Sequence, residues 1–376
     1  MSDTTIDYVD RRSRLPQRAG EEELRFIRNF HDVFISIGIG LFGVGIGFVS
    51  VLLLGDMVSI NEFSDLQEAG WLIAGVALIN ALIMWGLAEF FARHRRLFLP
   101  AIVILVFFTW FFAAGATVGY LTLFGEGDIA DFEDAQQKLR FFPLTVAGAT
   151  TLAIFVYYAR MKLPFAMGLG GVGLAATGVA GLAALDAELI LSLGFWLQLL
   201  AGLFLFALGV MFDARDPQRQ TRFSDNGFWL HFFAAPLIFN SVLVLTTGRM
   251  LMSRIEGGAI GDGGLLPTAV VTLVLVILFA VVSLLINRRA LLVAGLLSAA
   301  YAIWVVVNSV GLSGAWPVAV TLLVLGASMV LLGGGWHSVR RVLVAPFPKE
   351  GLIARIIPPE PGPGETVDDR VDMVRE

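Results

Sequence analysis

The sequence predicts an all-α fold, a polytopic membrane bundle of about ten transmembrane helices with both termini cytoplasmic. Three observations carry this. The 376 residues are 57% hydrophobic and 15% charged, with a mean hydropathy of +0.80, which is more apolar surface than one water-soluble core can hide. The charges gather in short clusters between long apolar runs, and ten such runs approach the about 20 residues that a helix needs to cross hydrocarbon. A soluble enzyme of this length is excluded.

In chain order, residues 1–32 form a cytoplasmic N-terminal segment. Residues 1–20 are polar and aperiodic. Glu21 to Asp32 reads as a helix, with Glu21 and Arg25 spaced as an i,i+4 pair and with Phe26, Ile27 and Phe30 set to lie along a membrane surface. So long a polar leader does not fit a cleaved signal peptide, and the first apolar run is expected to be retained. The transmembrane domain covers 33–334, with runs at 33–54, 69–91, 97–123, 141–159, 163–184, 189–212, 228–248, 267–286, 290–308 and 317–334. Between the third and fourth, Gly125 to Arg140 carries Glu126, Asp128, Asp131, Glu133 and Asp134. This reads as a solvated acidic helix, because it lacks the alternating ligands and terminal Glu of an EF-hand loop. The tail, 335–376, is cytoplasmic, Pro-rich and acidic at its end, and its prolines preclude a long helix.

Ten spans place both termini on one side, and positive charge decides which. With the termini cytoplasmic, 22 of the 26 Lys and Arg side chains fall inside, and only Lys138, Arg140, Arg249 and Arg254 fall outside. Trp71, Trp229, Trp316 and Trp336 sit at predicted span ends, the depth an indole prefers. The basic turns near residues 94, 161, 221 and 288 recur every 60 to 67 residues. Two spans with two connections use about that length anyway. Only 69–123 and 267–308 resemble each other, each with a basic turn between bulky apolar helices.

Most chemical motifs fall away. With no cysteine, and with histidines scattered at 31, 94, 231 and 337, neither a thiolate site nor a metal-ligand spacing exists in the sequence. No metal or cofactor is expected. Gly168 to Gly173 and Gly38 to Gly43 both spell G-x-G-x-x-G, but inside lipid-spanning runs, where the fingerprint has no preceding strand. These glycines read as close-packing sites: Gly43 with Gly47 and Ser36 with Gly40 in the first span, Gly171 with Ala175 and Thr177 with Gly181 in the fifth.

Two groups of polar residues remain. Asn80, Gln198 and Asn240 lie near the midplane of the second, sixth and seventh spans, and each lone amide there needs a partner or water. Gly194, Gln198 and Gly202 share a face, and Pro236, which frees the carbonyl of Phe232, shares one with Asn240. These four, Asn80, Gln198, Pro236 and Asn240, are the candidate midplane site; amides bonded across plain helix contacts are the structural alternative. At the cytoplasmic face the candidate cluster is Glu89, Asp213, Arg222 and His231. Glu89 is spaced to pair with Arg93, Ser224 or Asp225 is placed to cap the seventh span, and His231 enters the inner leaflet one turn deep.

The stretch Ser224 to Pro236, with the basic turns and the Pro359-containing tail, resembles uncharacterised multi-pass inner-membrane proteins of bacteria. The resemblance implies a location in the cell inner membrane and no substrate. The 23 arginines against 3 lysines fit a GC-rich bacterial genome. The leading functional expectation is a small-solute transporter or permease, with Asn80, Gln198 and Asn240 lining one water-accessible cavity. The competing one is a non-transporting scaffold or accessory subunit. A membrane-embedded enzyme ranks third, and it needs Glu89 and His231 on touching helices. Expected partners are the lipid bilayer, a small solute, and a membrane-protein partner or second copy of the chain, with no nucleic acid.

Overall fold

The structure, a computed structural model, describes residues 30–57, 69–125, 132–216, 222–257, 265–288, 315–348 and 350–358, with residues 300, 303 and 307. Every regular element among them is helical: α1 (Phe30–Met57), α2 (Gly70–Ala88, continued by a π-helical turn over Glu89–His94), α3 (Phe98–Gly125), α4 (Phe132–Met161) and α5 (Pro164–Leu185). After these come α6 (Ala187–Arg215), α7 (Arg222–Gly257), α8 (Leu265–Ile286), α9 (Trp316–Val344) and the short α10 (Gly351–Ile356). Among the described residues, seven helices are long and apolar enough to cross a membrane, and an eighth results if α9, bent by 61° between Val318–Leu331 and Gly334–Val344, is one span.

The first seven predicted runs each fall within one of these helices, to within a residue at the start, the second running on into the π-helical turn. The eighth lies in α8. The run 290–308 lies outside the described residues except for positions 300 and 303 and 307, as do residues 1–29 and the tail beyond 358. From Phe132 on, the acidic segment belongs to α4, which continues through Pro143 to Met161 without a break, and residues 126–131 lie outside the described residues.

Helices α2 to α7 form three hairpins, α2–α3, α4–α5 and α6–α7, the first two closed by a basic connection. At two of them the chain reverses through a left-handed residue, Arg96 (φ 54°) or Lys162 (φ 56°), and Asn287 (φ 55°) does the same after α8. A left-handed residue just past a helix satisfies its last carbonyls. After α8 this is a Schellman motif, in which Arg288 N–H donates to Ser283 O (2.8 Å) and Asn287 N–H to Leu284 O (3.3 Å). After α4, Lys162 N–H donates to Tyr158 O (2.8 Å), and Pro164 opens the next helix. Arg or Lys at such positions also sets a positive charge against the negative end of the helix dipole.

Side-chain bonds gather these turns at one end of the bundle, here termed the basic end. Arg160 Nε meets Glu89 Oε1 (2.6 Å), Asn226 Nδ2 donates to the Tyr158 hydroxyl (2.8 Å), and Arg288 Nε donates to Asp213 Oδ2 (2.9 Å). The interior has two parts. Met84, Ile104, Leu105 and Tyr157 centre the packing of α2, α3 and α4, with Trp85 edge-on to Tyr157. Leu205, Leu230, Ala235, Phe239 and Leu275 join α6, α7 and α8. Outside lies a wide coat of exposed large apolar side chains, among them Leu41, Trp110, Leu152 and Leu323. In water such a coat marks an interaction surface; around a bundle of long apolar helices, hydrocarbon satisfies it. On the rim, α1 packs on α3, where Gly43 makes room for the ring of Phe107.

Candidate functional site

The last turns of α6 and the first turns of α7 carry polar residues on facing sides. Gly209 and Asp213 are four apart on α6; Ser224, Gly227 and His231 follow at spacings of three and four on α7. Each set therefore lies on one face of its helix. The turn after α8 delivers Arg288 to the same place, and the side chains close on one another.

Arg288 holds Asp213 from the side: its Nε donates to Oδ2 (2.9 Å), and its NH2 group reaches Oδ1. The same NH2 group donates to the Ser224 hydroxyl (2.9 Å) and to the Ser224 carbonyl (3.1 Å). His231 Nε2 lies 3.1 Å from Asp213 Oδ2, and the imidazole packs beside the ring of Phe206. Arg288 is 2% exposed and His231 0%. Charges so enclosed pay several kcal/mol each in lost hydration, which only close pairing and filled hydrogen bonds offset. Two glycines make the enclosure. A methyl at Gly227 would lie 2.2 Å from Asp213 Oδ1, and one at Gly209 would lie 2.8 Å from His231 Cε1.

The arrangement is sealed from the side of α9. Arg340, fully buried, donates through Nε to the Leu284 carbonyl (2.9 Å) and through NH2 to that of Pro358, while Trp336 Nε1 donates to Asn287 Oδ1 (3.0 Å). The tail helix α10 packs on α6. Thus α8, α9 and the tail all fasten the segment that presents Arg288.

Of the predicted cytoplasmic-face cluster, Asp213 and His231 meet. Glu89 does not join them: it sits in the π-helical turn and pairs with Arg93 NH1 (3.1 Å) and Arg160 Nε (2.6 Å), partly exposed. The side chain of Arg222 lies outside the described residues. Arg288, Ser224 as acceptor and the two glycines were not assigned by sequence. Arg288 carried one signal, its place in a basic turn.

The midplane amides do not converge either. Asn80, buried on α2, donates to Ser50 Oγ of α1 (2.8 Å). Gln198 and Asn240 face each other across α6 and α7 with Nδ2 to Oε1 at 3.5 Å, at the edge of hydrogen-bond range, on the exposed side of the described bundle. Pro236 lies one turn before Asn240 in an unbroken α7. The expected common cavity is replaced by two separate contacts, because α2 packs on α1 and α3 and not beside α6. The packing assigned to the glycine motifs appears in part: Gly43 lies against Phe107, Gly171 faces Leu205 and Leu230, and the Thr177 and Thr151 hydroxyls lie 3.1 Å apart, whereas Gly38 and Gly40 have no neighbour within 4 Å among the described residues.

Among the described residues, no group of three or more His, Asp and Glu side chains is placed to hold a metal ion. No family model, curated protein or solved structure matches the chain.

Proposed function

We propose that this protein is a small-solute transporter of the cytoplasmic membrane, with ten spans, both termini inside, and its working charges at Asp213, Arg288 and His231 near the inner face. The observation that carries the reading is the enclosed Asp213–Arg288–His231 cluster itself. Ionisable groups within apolar helices are costly, and where they are retained they mark ion or substrate pathways. This one also joins separate units, since α6 and α7 form one hairpin while Arg288 arrives on the far side of α8. Rocking of one bundle against another is how alternating access is commonly achieved, and a charge contact across the boundary is a natural point of control. The 22 to 4 division of positive charge supports the orientation.

The test uses the full-length protein in lipid vesicles and measures exchange of radiolabelled amino acids, sugars, carboxylic acids and amines. Saturable exchange of at least one class, lost in Asp213→Asn that still elutes as a folded species, is the expected result. No exchange above empty vesicles, or undiminished exchange in the variant, removes the reading.

A scaffold or accessory subunit is the second reading, favoured by α1. Its Gly38 and Gly45, seven apart on one face, meet no neighbouring atom among the described residues, so this rim helix offers a close-approach face. A partner chain retained on the protein in native lipid discs, and lost with Gly45→Leu, would support it.

A further inference from the structure

His231 is more than a third member of the charge cluster. The Asp213 carboxylate, engaged by the Arg288 guanidinium, can only accept hydrogen bonds, so the imidazole nitrogen facing it, Nε2, is the one that carries hydrogen. In the neutral ring the other nitrogen, Nδ1, then holds a bare lone pair. This atom is buried and has no hydrogen-bond partner among the described residues. The face of the ring lies against Gly209, where a methyl would stand 2.8 to 3.0 Å from Cε1, Nδ1 and Nε2, so the glycine lets the imidazole sit flat on α6. A carboxylate behind one nitrogen fixes the tautomer and the ring orientation. The result is a proton acceptor, built and oriented, one to two turns inside the basic end.

The groups around it are few. From α6 come Asp213, Gly209 and Phe206; from α5, which has no charged residue, only apolar packing against Trp229 and Leu230; from beyond α8, Arg288. Asp216 and Asp225 flank the connection between α6 and α7 and have interactions of their own. The decisive detail is that His231 Nε2 and Arg288 Nε bond the same oxygen, Asp213 Oδ2, at 3.1 and 2.9 Å. With the ring neutral, Asp213 and Arg288 cancel. With the ring cationic, two positive groups compete for one oxygen.

We propose that His231 Nδ1 is the proton-binding site of this protein, and that its occupancy sets how firmly Arg288 holds Asp213. A hydronium ion reaching the site gives its proton to the Nδ1 lone pair and leaves as water; the ring gains one positive charge and no other bond breaks. Repulsion between imidazolium and guanidinium then loosens the tie between the α6–α7 hairpin and the segment after α8. The coupling purpose rests on the transporter reading, whereas the proton site itself does not.

The experiment reads the ring directly. Full-length protein with His31, His94 and His337 replaced by Gln, labelled with 15N-histidine and 15N-arginine and held in lipid vesicles, leaves His231 as the one histidine, and Arg288 is assigned by difference from Arg288→Lys. Solid-state NMR is expected to find hydrogen on Nε2 alone in alkaline buffer and on both nitrogens in acidic buffer, with the Arg288 guanidinium signals moving over the same interval. Gly209→Ala, whose methyl would press on the ring face, is expected to displace the imidazole from Asp213 and uncouple the Arg288 signals from it; if that variant does not fold, the parent spectra decide. A ring that keeps one proton throughout, hydrogen on Nδ1 in the neutral form, or unmoved Arg288 signals overturn the proposal. Ring titration without solute exchange would leave the proton site standing and remove the transporter; exchange with a ring that never titrates would do the reverse.

Discussion

At the scale of single residues, Asp213 carries the most. It accepts from Arg288 and His231, faces the backbone of α7 where Gly227 has no side chain, and lies in the last turn of α6. Removing one member of a buried pair leaves the other charge stranded. Asp213→Asn is therefore expected to cost about 3–5 kcal/mol. Exchanging both partners, Asp213→Leu with Arg288→Met, should recover much of that loss, because uncharged groups of similar volume need no pairing. Reversible unfolding in mixed detergent would measure both, and a double variant no more stable than the single one would contradict this account. Sequence pointed to Asp213 and His231 because both are ionisable and close to span ends. It did not point to Arg288, 75 positions beyond Asp213. Nor could it separate Asn80 from Gln198 and Asn240: apolar runs give each residue a depth, whereas convergence depends on which helices are neighbours.

At the scale of elements, the hairpins follow from chain chemistry. Each long apolar run becomes a helix because hydrocarbon leaves its backbone no other partner, and the basic connections hold the charges that cannot enter. Less legible were the ends. The segment after Phe132, Glu-Asp-Ala-Gln-Gln-Lys-Leu-Arg, holds mostly good helix formers, so the helix begun in lipid propagates through it and α4 reaches 30 residues. The π-helical turn after α2 left no mark in composition. Small residues matter only where a neighbour arrives, which sequence does not show. Gly227→Ala should destabilise by about 1–3 kcal/mol through overpacking against Asp213. Gly38→Ala, with nothing near its Cβ position, should stabilise by roughly 0.5–1 kcal/mol through the better helix propensity of alanine. Thermal unfolding of the two variants side by side tests the contrast, which fails if both shift alike.

At the scale of the whole molecule, the fold class was legible because the excess of apolar residues has one physical outlet. A coat such as Leu41, Trp110 and Leu323 belongs in lipid. The orientation gives a direct prediction: a reporter active only in the cytoplasm, fused at the Arg95–Arg96 turn, should be active, and one fused at Asp128 should be silent. The opposite pattern would invert the protein in the membrane. The long reach from Asp213 to Arg288 also has a consequence in time. A ribosome adding about 5–20 residues per second makes the acid roughly 4–15 s before its guanidinium partner. Throughout that interval the newborn α6–α7 hairpin holds a carboxylate whose counter-charge has not been synthesised. It must keep Asp213 at the water's edge or carry it protonated, and its final seating waits for the last third of the chain.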